Sequence, residues 1–244
     1  MIKLVTVLKR RSDMTRREFE HRWLHVHAPI AAVFPNLRGY VLSFSIEDGE
    51  PQADGVAQLW FDDREAVQTS YASQIGREGS NDAREYLARR DHLMVSEEWA
   101  GPADDSAGFA YKMMLGLKRP DGRSRAQFVA DMQALDHDTL QQGFATPTVR
   151  VCVDEQGKQL NSGVDGALDL FEAEAVFDAL VEAWYPDAQA MRSAAGAFEQ
   201  SQANAALAGL SSARETFLLH ENVVVAPPEL VQPAHLLDAI RARG

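Results

Sequence analysis

Cysteine is almost absent. The 244 residues hold one, Cys152, so no intrachain disulfide can form, and no Cys/His spacing of the zinc-binding kind occurs. A lone cysteine suits a reducing compartment. Val151-Cys152-Val153 reads as strand, where a thiol is a small buried apolar group. Positive charge is also scarce: 24 Lys and Arg stand against 36 Asp and Glu, a net charge of −12. Such a surface repels nucleic acid and anionic membranes. The clusters Lys9-Arg10-Arg11 and Lys118-Arg119 are short and read as strand-end turns. No apolar run approaches the roughly 20 residues of a membrane span. The opening run from Met1 to Leu8 has its basic residues after the apolar stretch, unlike a secretory signal, and the expectation is a cytoplasmic protein. Glycine-rich phosphate and dinucleotide motifs are missing, as are G-x-S-x-G and H-E-x-x-H. Nucleotide cofactors, a serine nucleophile and zinc hydrolysis therefore lose support, and neither a cofactor nor a bound metal is expected.

What is present is an internal repeat within a chain of ordinary globular hydrophobicity, 45%. Leu8-Lys9-Arg10 recurs as Leu117-Lys118-Arg119, an offset of 117 − 8 = 109. At that offset Thr15-Arg16 matches Ser124-Arg125, Phe19 matches Phe128, Trp23 falls on Met132 and Val26 on Leu135. Thr15 with Glu18, and Ser124 with Gln127, each form a capping box, in which side chain and backbone satisfy one another at a helix start. Each would contribute about 1 kcal/mol. Further on, Asp54-Gly55 is paired with Asp165-Gly166, and Leu59-Trp60 with Leu170-Phe171. The segment ending at Glu97 is paired with that ending at Glu221, an offset of 221 − 97 = 124. The second copy thus carries an insertion, expected in the Ala-rich stretch 186–210.

Patterning predicts strand 3–9, helix 15–34, strands 38–46 and 56–61, helical segments to 90 and a strand to 99. In the second copy 109–117, 124–142, 149–153, 167–171, a helical region and 217–223 play the same parts. That order is the split βαβ, or ferredoxin-like, pattern. The fold class is α+β: two ferredoxin-like modules with antiparallel sheets forming an intrachain pseudo-dimer. The modules are 1–103 and 104–226, the second with an inserted helical segment. Residues 101–108 read as a linker, and 227–244 as a C-terminal tail with a short helix at 233–243. The strands are apolar on both faces and must be covered on both. In strand 1, Leu4 and Leu8 oppose Val5 and Val7; in strand 3, Val56 and Trp60 oppose Leu59 and Phe61.

The stretch Met14-Thr15-Arg16-Arg17-Glu18-Phe19 … Trp23-Leu24-His25-Val26-His27-Ala28-Pro29 … Leu37-Arg38-Gly39-Tyr40-Val41 resembles the EthD family, as does Leu59-Trp60-Phe61-Asp62. The resemblance covers about residues 2–100, and 109–225 through the repeat alone. It implies a dimeric α+β barrel, in which two ferredoxin-like units pair sheet to sheet and a ligand pocket lies between sheet and helices. That group includes cofactor-free monooxygenases, lactone isomerases, polyketide cyclases, haem enzymes and proteins of unknown role. EthD itself is linked to ether degradation beside a cytochrome P450 system. The His-Ala-Pro signature stands at His27-Ala28-Pro29. In the second copy Asp136 replaces the histidine (27 + 109 = 136), which suggests one competent site and one scaffold half. Pro35-Asn36-Leu37 has Asn where the family usually has Gly, a mild change because Asn tolerates left-handed geometry.

On a helical wheel of about 100° per residue with Phe19 at zero, Trp23 (about 40°), Val26 (about 340°) and Ile30 (about 20°) form a buried stripe. His27, at about 80°, borders it, while His21 and His25, at about 200° and 240°, face solvent. His21 and His25 have the i, i+4 spacing of a metal pair, but no third ligand is evident. His27 has two readings: a half-buried imidazole that transfers protons, or a structural ring bonded to backbone where Pro29 bends the helix. Trp23, Tyr40, Phe44 and Trp60 are core aromatics that would also suit a small hydrophobic, cyclic or aromatic ligand beside His27. Asp91 and His92 would approach the same end. The first functional reading is a cofactor-independent oxygenase, isomerase or cyclase with His27 in proton transfer. The alternative is a non-catalytic binding or accessory protein of a catabolic oxygenase system, and a haem enzyme is third. Association into a further homo-oligomer stays open.

Overall fold

Strands apolar on both faces need cover on both sides, and the chain supplies it by closing a barrel on itself. The computed structural model describes residues 1–99, 109–162, 168–172 and 176–227. The first half runs β1 (Ile2–Arg10), α1 (Arg16–Arg22), a π turn (Trp23–His27), α2 (Ala28–Ala31), β2 (Gly39–Ser45), β3 (Gly55–Phe61), α3 (Arg64–Ala72), α4 (Gln74–Tyr86) and β4 (Leu87–Trp99). The second runs β5 (Tyr111–Lys118), α5 (Arg125–Gln133), α6 (His137–Phe144), β6 (Val149–Val153), a hairpin β7 (Lys158–Ser162) and β8 (Leu168–Glu172), β9 (Ala179–Tyr185), α7 (Ala188–Phe198), α8 (Gln202–Leu210) and β10 (Ala213–Val225). Eight antiparallel strands close in the order β1-β3-β2-β10-β5-β9-β6-β4. Each half contributes a four-stranded sheet, and the sheets meet edge to edge: Phe44 of β2 lies opposite His220 of β10, and Glu97 of β4 opposite Cys152 of β6. Closure removes the exposed edges that an open sheet would present. Among the described residues, no helix is long and apolar enough to cross a membrane.

Both capping boxes form, at Thr15/Glu18 and Ser124/Gln127. Asn36 adopts the left-handed conformation (φ 62°) that its place in the turn requires. The second half departs from expectation in its third strand. β9 lies between β5 and β6 as β3 lies between β1 and β2, so the counterpart of Asp54 is Asp178 (54 + 124 = 178), not Asp165. The hydrogen bonds agree: the amides of Asp54 and Asp178 donate to Leu8 and Leu117, each at 2.8 Å. Their carboxylates accept from the amides of Arg10 and Arg119, at 3.0 and 2.9 Å. The insertion is therefore the β7–β8 hairpin, not a helical segment at 186–210, and 168–172 belongs to that hairpin. Asp165-Gly166 and Leu170-Phe171 imitate a turn and an apolar pair, but a local match carries no information about which strand is the neighbour. The expected 101–108 linker, the 103/104 boundary and the 233–243 helix lie outside the described residues.

The barrel interior is lined by Val5, Val7, Val56, Leu93, Val95, Met114, Phe217 and Leu219, all buried. Among them lies a charged network. Lys3 Nζ reaches Glu182 (2.6 Å) and Glu97 (2.7 Å), and Lys112 Nζ reaches Glu221 (2.6 Å) and Glu182 (3.0 Å). Gln58 accepts from Lys112 and donates to Glu182, each at 2.5 Å. Arg150 pairs with Glu97, while Trp60 and Trp184 donate to Glu97 (2.9 Å) and Glu221 (3.0 Å). Three cations (Lys3, Lys112, Arg150) thus balance three carboxylates (Glu97, Glu182, Glu221). Burial alone would raise the Glu182 pKa, but Lys112, Lys3 and Arg150 outweigh it and hold the group well below the usual carboxylate range.

Lys112→Met would take one cation from Glu182 and Glu221, leaving Glu182 with Lys3 and Gln58 and Glu221 with Trp184, and removing one partner of a buried pair costs about 3–5 kcal/mol. Denaturant titrations should show that loss at neutral pH. The depressed Glu182 pKa places its stabilisation above the unfolded carboxylate range. The deficit should therefore shrink as pH falls through that range and the carboxyl left short of a partner protonates. Gly55 is required by close approach, since a Cβ there would lie 2.3 Å from the Trp23 ring. Gly55→Ala should cost about 1–3 kcal/mol through overpacking, read as a lowered melting temperature.

Candidate functional site

The helices of the first half do not close flush on the outer face of its sheet. Between them lies a cavity of about 40 Å3, lined by Thr6, Leu8, Tyr40 and Leu59 from the strands, Trp23, His27 and Phe34 from the first helical run, and Tyr71, Ser80, Ala83 and Tyr86 from α3 and α4. Arg90 and His92 of β4 complete it. That volume holds about three waters.

The π turn brings His27 into this lining. The Ala28 amide donates to the Trp23 carbonyl, five residues back, so the turn carries one residue more than an α turn. The uniform wheel fails beyond Trp23 for that reason: Val26, expected in the buried stripe, is 41% exposed, while the His27 side chain is 14% exposed. The expected bend at Pro29, which has no amide to donate, is realised as this wider turn just before it.

His27 Nδ1 lies 3.0 Å from Asp82 Oδ2 of α4. Arg22 Nη2 donates to the other oxygen of Asp82 at 2.6 Å. The hydrogen bond from His27 and the charge of Arg22 hold Asp82 below its usual pKa. An ionised carboxylate accepts only, so Nδ1 carries the proton that faces Asp82, and Nε2 is the nitrogen free to exchange a proton. The His27 ring stands edge-on to Tyr86 (5.6 Å), and the Arg22 guanidinium lies over the same ring (5.7 Å). On β4, His92 Nδ1 bonds Thr6 Oγ1 at 2.9 Å. Burial, with Arg90 adding repulsion, depresses the His92 pKa to about 3, so the ring stays neutral. Burial also raises the pKa of the Tyr40, Tyr71 and Tyr86 hydroxyls, which keep their protons.

Of the aromatics singled out in the sequence, Trp23 and Tyr40 join His27 in the cavity. Phe44 packs edge-on against Trp23 (4.9 Å) and lines the adjacent surface groove instead. Trp60 points the other way. It shares a face with Val56 and Gln58, and its Nε1 donates to Glu97 inside the barrel, so it is not part of this site; strand alternation puts Leu59 there. His92 reaches the cavity, whereas Asp91 pairs with Arg89 at 2.5 Å. Asp82, Ser80 and Tyr86 went unnoticed in the sequence, because α4 is a polar helix in which nothing local distinguishes one acidic residue from another. The rings of His21 and His25 lie 4.9 Å apart, tilted by 53°, and with His220 they line the groove beside Phe44. Among the described residues, one group has three donors within metal-binding reach: Glu97, Cys152 and Glu182. Lys3 Nζ already fills the cation's place there, 2.6 to 3.2 Å from all three.

The second half fills the equivalent space. Met132 replaces Trp23 (23 + 109), and Leu207 replaces Ala83 (83 + 124). With Leu140 and Phe144 they are at most 1% exposed. His27 and Asp82 become Asp136 and Ala206 (82 + 124), and Asp136 instead caps α6, accepting from the Thr139 amide at 2.8 Å.

No curated protein matches the chain in sequence. Among solved structures, an anthrone oxidase-like protein superposes with a TM-score of 0.58 at 8% identity, covering 91% of this chain and 93% of its own. A candidate monooxygenase from Fusobacterium nucleatum gives 0.53 at 8% identity with the same coverage. One from Lactobacillus acidophilus gives 0.50 at 9%, covering 93% of this chain and 96% of its own. At such identities the likeness is one of fold, an α+β barrel with antiparallel strands. The EthD domain model matches the sequence over 11–90, the span that contains His27, Asp82 and all the helices around the cavity. Residues 11–90, about a third of the chain, thus match an EthD domain model, and they lie within a closed single-chain α+β barrel.

Proposed function

We propose that the first half is an enzyme site in which His27, oriented by Asp82, moves a proton on a small hydrophobic compound. The second half serves as scaffold. The observation that carries this reading is the His27–Asp82 pair on the wall of a cavity. A base within hydrogen-bond reach of a carboxylate that fixes its tautomer is the arrangement general acid–base catalysis needs. Isomerisation, cyclisation and oxygenation each contain such a step. The monooxygenase descriptions of the fold neighbours are compatible with the last. The chain's own side chains suffice for the proton transfer.

A second reading, a binding or accessory module without chemistry, is favoured by the size of the cavity. A buried cavity of about 150 Å3 accommodates benzene, and this one is far smaller. A ring-sized ligand must either keep its body at the mouth or displace the Phe34–Tyr71 pair, whose rings stand 5.3 Å apart.

A thermal-shift screen with small aromatic, quinone and lactone compounds tests both readings, because a ligand of the native state raises the melting temperature by mass action. Compounds that shift the wild type should then be assayed for turnover with His27→Ala and Asp82→Asn. Asp82→Asn should keep binding and lower kcat by about 10²–10⁴. Binding with no turnover by the wild type would leave the accessory reading. A fully active His27→Ala would remove the proton-transfer role. Ala83→Leu copies Leu207 of the filled half. It should lower stability by about 1–3 kcal/mol through overpacking and abolish the ligand-induced shift.

A further inference from the structure

Two hydroxyls in the cavity wall have no partner. Tyr86 is 0% exposed and Ser80 3% exposed, and neither Tyr86 Oη nor Ser80 Oγ makes a hydrogen bond. A buried hydroxyl without a protein partner has to be met by water or by a bound polar group, and two of them in one cavity offer such a group a place to displace water. Two ring nitrogens of the wall are committed, His27 Nδ1 to Asp82 and His92 Nδ1 to Thr6. The basic nitrogen of His27 belongs to the ring that stands edge-on to Tyr86. One side of the cavity thus removes protons, and an adjoining side donates to oxygen.

We propose that the ligand is a neutral, enolisable ring ketone whose carbonyl oxygen is received by Tyr86 and Ser80 while His27 faces the neighbouring C–H. This assignment rests on the proton-transfer reading above and names its substrate class. In the step, the C–H bond breaks and its proton goes to His27 Nε2. The electron pair forms the C=C bond of an enolate, and the charge reaching oxygen is met by the two hydroxyl donors. Return of the proton to the ring regenerates the ketone or its isomer, and no other reactant is consumed. Donors aimed at the atom where charge develops are the usual means of stabilising such an intermediate. Burial keeps the Tyr86 proton in place at neutral pH, so the hydroxyl arrives as a donor. The 40 Å3 void admits the carbonyl and its flanking carbons, and an apolar body would rest against Phe34 and Tyr71 at the mouth.

The test compares 2-indanone with 2-methyleneindane, in which a carbon replaces the ketone oxygen. Both are measured on the full chain by saturation-transfer NMR. Deuterium uptake next to the carbonyl is followed in D2O. The wild type should bind the ketone about tenfold more tightly, the worth of the added hydrogen bonds, and should exchange its protons faster than buffer. Tyr86→Phe and Ser80→Ala remove unpaired hydroxyls, so they should fold at least as stably as the wild type while losing the preference for oxygen. His27→Ala should bind the ketone without exchange. Equal affinity for the two compounds, or a preference that survives in the Tyr86→Phe/Ser80→Ala double variant, overturns the oxygen assignment and leaves the His27–Asp82 reading intact. Exchange that persists in His27→Ala overturns the His27 role while the oxygen assignment stands. Oxygen preference without exchange in the wild type overturns the enolising step, and no binding of either compound overturns the ring-ketone assignment while the His27–Asp82 reading stands or falls on the wider screen.

Discussion

The two halves depend on a set of charges that neither could bury alone. Lys3 of the first half is held by Glu97 of its own sheet and by Glu182 of the other, and Lys112 of the second half reaches across to Gln58. Charges inside a closed barrel are tolerable only if they are paired and fully hydrogen-bonded. That condition fixes the relative register of the two sheets. A slip of one residue would turn Lys3, Gln58 and Glu182 out of the interior and leave their partners stranded. Near-symmetry would put a glutamate at both 58 and 182. The glutamine at 58 is what balances three cations against three carboxylates. The apolar lining around the network supplies the bulk of the interior packing, and the network selects which pairing of sheets is permitted.

Given that frame, the halves diverge in what they do with the space between sheet and helices. In the second, Met132, Leu140, Phe144 and Leu207 fill it, and the position of the signature histidine has become a helix cap. In the first, smaller or polar groups at Gly79, Ser80 and Ala83 leave it open, with unpaired hydroxyls on its wall. A cavity with unsatisfied polar atoms lowers stability, and a packed second half sharing the same barrel offsets that loss. Two halves in one chain make such a division of labour available, because each can differ where the other does not.

The π turn is the local device on which the site depends. Had the first helix continued as a regular α-helix, Val26 would have stayed in the buried stripe and His27 at its border. One extra residue in the turn exchanges them. Trp23 opens that turn, and its ring packs so closely over Gly55 that no side chain fits there. The helix is thus pinned to the sheet at the point where its winding changes.

Much of this was legible in the residues. The 109 and 124 offsets, the capping boxes, the alternation of Leu4 and Leu8 against Val5 and Val7, and the His27-Ala28-Pro29 signature determine two ferredoxin-like halves and a candidate histidine, because capping, alternation and repetition are local properties. Tertiary structure alone decided the rest. Lys3, Gln58 and Glu182 look like surface residues until closure of the barrel encloses them. The third strand of the second half was misplaced because pairing partners, not local pattern, define a strand's position. Asp82 lies 55 residues from His27 on a helix that looks uniformly polar. Its pairing with His27 exists only because α4 packs against the π turn, and an interaction made across such a separation leaves no trace in either segment.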